Sequence, residues 1–66
     1  MNVTHPTIGA VEDVVVTKKT PFGVLVERPD GMAGLVTGAD AVEGATISVT
    51  ISEVDLVEQR FSATPR

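Results

Sequence analysis

Few side chains here are suited to covalent chemistry, and their spacing works against it. His5 is the single histidine and cysteine is absent, so no metal site and no nucleophile–base pair can be assembled around that imidazole. Glu12 and Asp13 form an adjacent carboxylate pair, but successive strand residues point to opposite faces and cannot share one substrate as general acid and base. Neither Gly-x-x-x-x-Gly-Lys nor Gly-x-Gly-x-x-Gly occurs, and the glycines are dispersed at expected turns. The chain is expected to have no enzymatic activity, no cofactor and no metal. Non-covalent chemistry is better represented. Lys18 and Lys19 are the only adjacent basic pair, and with Arg28 and Arg60 they could make a local positive patch for phosphate. Phe22, if solvated on a sheet, could stack on a nucleic-acid base, a contact of about 1–3 kcal/mol per base.

Overall charge opposes tight binding to polyanions. Five basic residues stand against nine acidic ones, for a net charge of −4, which disfavours a protein that must neutralise many phosphates. The 66 residues, 42% of them apolar, suffice for one domain with a small core. The apolar set is rich in Val and Ile, which favours strands. No apolar run approaches the roughly 18 residues of a membrane span, and the first ten residues lack the basic start and apolar stretch of a signal peptide. A cytoplasmic protein is expected.

The elements that must position these residues read as five strands. Residues 1–6 are a polar lead-in, and residues 7–66 form the single domain. A first strand is expected from Thr7 to Thr17, with Ile8, Val11, Val14 and Val16 as its apolar set and an irregular alternation that suits a bent strand. After the Lys18-Lys19-Thr20-Pro21 turn, a second strand covers Phe22 to Arg28. Pro29-Asp30-Gly31 supplies a preset φ, a side chain able to bond its own turn and a residue tolerant of positive φ, so a hairpin into Met32–Thr37 follows. Residues 38–44 make a short link with room for one helical turn. From Ala45 to Val54, Ile47, Val49 and Ile51 alternate with Thr46, Ser48, Thr50 and Ser52, a strand with one buried and one wet face. Val54 is out of phase with Ile51, which predicts a bulge. A last strand spans Arg60 to Thr64. The pattern suits an all-β, five-stranded Greek-key barrel of the OB type; an SH3-like barrel is the competing architecture on periodicity alone.

The ordered set Phe22-Gly23-Val24-Leu25-Val26, Pro29-Asp30-Gly31, Gly34-Leu35-Val36, Val54-Asp55 and Arg60-Phe61-Ser62 resembles the S-one-type RNA-binding domain, named after repeats in the largest small-subunit ribosomal protein. The resemblance covers nearly the whole chain and favours the OB barrel, here with a third-to-fourth strand link shorter than the helix-bearing one usual in the family. It implies single-stranded RNA as the ligand. Phe22 matches the first family aromatic, Leu25 stands at the second, and Thr37 stands where a His often follows Gly-Leu-Val. Asp55 and Arg60 match the closing Asp and Arg, one residue further apart than in the commonest pattern. Phe61 falls on an aliphatic barrel position and is expected in the core.

The resemblance therefore implies an RNA-binding set of Phe22, Leu25, Thr37 and Arg60, assisted by Lys18 and Lys19 in the first-to-second strand loop. Leu25 can cover a base and Thr37 can hydrogen-bond a phosphate, 2′-hydroxyl or base edge, but neither offers an aromatic stack. Asp55 is expected to organise its turn or orient Arg60. The expected role is weak RNA binding accessory to translation, RNA turnover or transcription. The alternative is a protein-interaction module on the same barrel, with Leu25, Met32 and Val36 as an apolar patch inside an acidic rim facing a basic partner in an RNA-handling complex. Nothing in the sequence specifies an oligomeric state.

Overall fold

A computed structural model describes residues 7–66; the expected lead-in, with His5, lies outside the described residues. Five strands form: β1 (Val11–Thr20), β2 (Gly23–Glu27), β3 (Ala33–Thr37), β4 (Thr46–Asp55) and β5 (Arg60–Pro65). They close into a barrel in the order β1-β2-β3-β5-β4, with β4 returning to β1. Every pairing is antiparallel except that of β3 with β5, which is parallel. This is a small all-β barrel of the OB-like kind, and closure removes the free sheet edges that would otherwise template aggregation. No helix is long and apolar enough to cross a membrane among these residues.

Period-two patterning fills the interior. Val14, Val16, Val24, Val26, Val36, Val49, Ile51, Phe61 and Ala63 are all buried, and the β-branched Val and Ile that dominate this set suit a narrow barrel whose inward positions must be filled without voids. Met32, Ala39, Ala41, Ile47 and Val54 pack against this core from its ends. The first strand begins later than its apolar residues suggest, because Ile8 and Val11 are exposed and only Val14 and Val16 turn inward. Gly9 and Ala10 nonetheless continue the contact with β4 through the bonds from Gly9 N to Ile51 O and from Ile51 N to Ala10 O.

Two bulges bend the long strands. The β1–β2 register slips between Val16 and Lys18, which leaves Thr17 as the extra residue, its hydroxyl donating to Leu25 O at 3.2 Å. In β4 the register against β5 slips between Ile51 and Glu53, as the phase of Val54 predicts. The slip lets one long strand serve two neighbours around the barrel.

Two glycines are required by close approach. At Gly23 a Cβ would strike the Val36 carbonyl oxygen, and at Gly34 it would enter the ring of Phe61. The Pro29-Asp30-Gly31 hairpin forms as expected: Gly31 N donates to Arg28 O at 2.9 Å, Asp30 Oδ1 accepts from Met32 N at 2.9 Å, and Gly31 has φ of 94°. The link from β3 to β4 contains no helical turn. It is laid instead on β1, with Gly44 N donating to Val16 O at 2.7 Å and Val16 N to Ala45 O at 2.8 Å.

Candidate functional site

The side chains with binding chemistry gather on the outer wall built by β2, β3 and β5, flanked by β1 and β4. Its residues lie in rows that cross the strands in register. One row is Lys18, Leu25, Leu35, Ser62 and Glu53; a second is Glu27, Ala33, Arg60 and Asp55. Gly23 faces Thr37 in a third. Thr37 lies four positions along β3 from Ala33, so the outer rows lie about 13 Å apart along the strands.

A groove of about 500 Å³ occupies the part of this wall between Leu25 and Arg60, with Leu35 and Ser62 on its floor and Glu53 and Asp55 on its far side. Its composition is amphipathic, two leucines beside one guanidinium and two carboxylates. Asp55 has a structural duty: its Oδ1 accepts from Val57 N and Glu58 N, both at 3.0 Å, and so caps the β4–β5 turn. Arg60 is exposed and lies 3.7 Å from a Glu58 oxygen, a surface contact too long and too wet to hold it tightly.

Phe22 and Thr37 stand together beyond the groove, at the opposite end of the same wall. Thr20 fixes this corner, because its hydroxyl accepts from Phe22 N at 3.2 Å and donates to Gly23 O at 3.1 Å. The Phe22 ring lies in the turn just before β2 and is 78% exposed. Lys18 and Lys19 lie on β1, not in the expected first-to-second strand loop, because pairing with β2 carries β1 on to Thr20; the bulge brings Lys18 beside Leu25. Of the six residues expected at the site, Leu25 and Arg60 share the groove, Lys18 flanks it, and Phe22 with Thr37 forms a separate corner.

Lys19 and Arg28 are drawn away from this wall. Lys19 reaches Asp40 at 3.0 Å instead of joining Lys18. Arg28 is the only buried charged residue among those described: its Nε and one terminal nitrogen grip Glu12 at 2.6 and 3.2 Å, and the other terminal nitrogen reaches Asp30 at 2.6 Å. The Glu12 hydrogen bond holds the Arg28 guanidinium above its ordinary pKa, against the opposing effect of burial. The four-residue positive patch therefore does not assemble, since a buried guanidinium must be matched by nearby carboxylates. Glu12 and Asp13 serve structure separately, Asp13 accepting from the Ser48 hydroxyl at 2.6 Å. The apolar patch of Leu25, Met32 and Val36 is corrected as well. Val36 is in the core and Met32 packs against it; Leu35, one residue before Val36, is the outward neighbour of Leu25.

Leu35, Ser62 and Glu53 were not singled out by sequence. Their signal is weak, because each becomes a neighbour of Leu25 or Arg60 only through the register of β3 with β5 and of β5 with the bulged part of β4.

The sequence matches no protein-family model and no curated protein. Among solved structures, the chain is similar to the uncharacterized protein MJ1198 from Methanocaldococcus jannaschii, at 18% identity and a TM-score of 0.81 over 100% of this chain and 96% of that one. That likeness shows that the fold described above is shared with a solved structure.

Proposed function

We propose that this chain is a non-catalytic, cytoplasmic RNA-binding module that takes single-stranded RNA weakly on the outer wall of β2, β3 and β5, as the resemblance to S-one-type domains implies. One arrangement carries the reading: exposed Phe22, Leu25, Thr37, Lys18 and Arg60 share a single wall of an OB-like barrel, the side on which such barrels take oligonucleotides. Phe22 supplies the stacking face, Leu25 an apolar cover, Thr37 a hydrogen-bonding hydroxyl, and Lys18 and Arg60 the phosphate contacts. One aromatic and two exposed cations make a weak site. Such a site is useful in a larger RNA-handling machine, where linkage raises the effective concentration.

An NMR amide-shift titration with a short unstructured single-stranded RNA, at low and near-physiological salt, tests this. Shifts clustered on this wall, at and around Phe22, Leu25, Thr37 and Arg60, that weaken with salt are expected. An unperturbed spectrum at millimolar RNA would overturn the reading.

The two carboxylates against one guanidinium in the groove favour a second reading, a protein-interaction module for a basic partner, centred on Leu25 and Leu35. Charge reversal at Lys18 and Arg60 should weaken RNA binding selectively, whereas Leu25→Asp should abolish a protein contact.

A further inference from the structure

Glu53 is at odds with a purely phosphate-binding wall. It stands at the end of the row Lys18, Leu25, Leu35, Ser62 and Glu53, lines the groove, and is engaged by no ion pair among the described residues. The other groove carboxylate, Asp55, already has an oxygen committed to the β4–β5 turn. Near a polyanionic backbone a free carboxylate is repulsive, and a ligand seated in the groove offsets that repulsion best by presenting hydrogen-bond donors to Glu53.

Those donors narrow the choice of base. An ionised carboxylate only accepts hydrogen bonds, through two oxygens side by side. Single-stranded RNA can turn the Watson–Crick edge of a base toward such a group. Guanine alone offers two adjacent donors there, N1–H and the N2 amine. Adenine and cytosine each set one amine beside a ring-nitrogen acceptor, and uracil sets one N–H between two carbonyls; in all three, one carboxylate oxygen would face a lone pair. The leucine pair gives the flat apolar support that a purine needs, and Arg60, in the adjacent row, can take the phosphate of the same nucleotide.

We propose that the groove between Leu25 and Arg60 is a guanine-selective subsite, with Glu53 reading the base. The inference rests on the RNA-binding reading and adds a base preference to it. The chemistry recognised is a guanine base, whether in a strand or in a free nucleotide; Phe22 and Thr37, lying outside the groove on the same wall, favour the strand.

The test is a set of NMR titrations of the full chain with UUGUU, UUAUU, UUCUU and UUUUU, and with GMP, repeated on Glu53→Gln. A bidentate pair discriminates by about 5- to 150-fold, and an open groove belongs at the low end. We expect UUGUU to bind about five- to tenfold more tightly than the other three, with the largest shifts at Leu35, Glu53 and Ser62, and GMP to bind more weakly than UUGUU. Glu53→Gln should reduce UUGUU to the level of UUAUU and leave UUUUU unchanged or slightly tighter. Equal affinity for all four pentamers would overturn guanine selectivity while leaving RNA binding intact. Selectivity that survives Glu53→Gln would overturn the role of Glu53, and GMP binding as tightly as UUGUU would overturn the strand as ligand. No shift with any probe would overturn RNA binding itself, and the subsite with it.

Discussion

Phe61 and Gly34 show how one contact can serve the core and the wall of the groove at once. The ring is 3% exposed, lies against Gly34 on β3, and so closes the barrel directly beneath the groove. A methyl group at Gly34 has no room unless the ring moves, and overpacking of this kind typically costs about 1–3 kcal/mol. Gly34→Ala should therefore lower the urea-unfolding free energy by about 2 kcal/mol, a large share of the roughly 3–9 kcal/mol available to a chain of this size. Phe61→Leu should destabilise as well, yet Gly34→Ala combined with Phe61→Leu should cost less than the two losses added, because the smaller side chain accommodates the new methyl. Strict additivity would mean that the ring and the glycine are not in conflict. The burial of Phe61 was legible from its position after Arg60 in the ordered motif. Its dependence on Gly34 was not, since that contact is made across a parallel strand pair distant in sequence.

At the scale of elements, turns were the most legible parts and surface partners the least. Pro29-Asp30-Gly31 encodes its hairpin through local φ preferences and an Asp side chain that bonds its own turn, all within four residues. The alternation from Thr46 to Ile51 identifies β4, and the phase break at Val54 announces its bulge. By contrast, the capture of Arg28 by Glu12 and of Lys19 by Asp40 depends on which strands become neighbours, and Leu35, Ser62 and Glu53 converge only after the barrel closes. The turn from β4 to β5 holds one local misfit. Gln59 has φ of 57°, a left-handed conformation costing a side-chain-bearing residue about 1–2 kcal/mol, partly offset by the entropy that a glycine there would lose. Gln59→Gly should stabilise the domain by about 0.5 kcal/mol, seen as a rise in Tm of about 2–4 °C. A fall in Tm would mean that the glutamine side chain makes a compensating contact.

Over the whole molecule, charge sets the character of any RNA complex. A chain of net charge −4, with Arg28 and Lys19 already paired, has Lys18 and Arg60 as the cations available on the wall. Two phosphate contacts on a single strand give a slope of log K against log salt near −1.4. Affinities measured between 50 and 300 mM salt should follow that shallow line, and Arg60→Gln should bring the slope to about −0.7. A slope steeper than −3 would require phosphate contacts elsewhere on the surface.

The groove also straddles the parallel seam where β3 meets β5, between residues that β4 and two turns separate in the chain. A ligand lying there touches both lips of the cylinder and acts as a clasp, since parting the seam would tear the ligand from one side. Even a weak nucleotide at ten times its Kd contributes about 1.4 kcal/mol by mass action. If opening begins at this seam, that contribution should be concentrated in slower hydrogen exchange at Gly34–Val36 and Phe61–Ala63, while the amides joining β1 to β4 barely respond. The face that reads the ligand would then also be the latch that keeps the barrel shut.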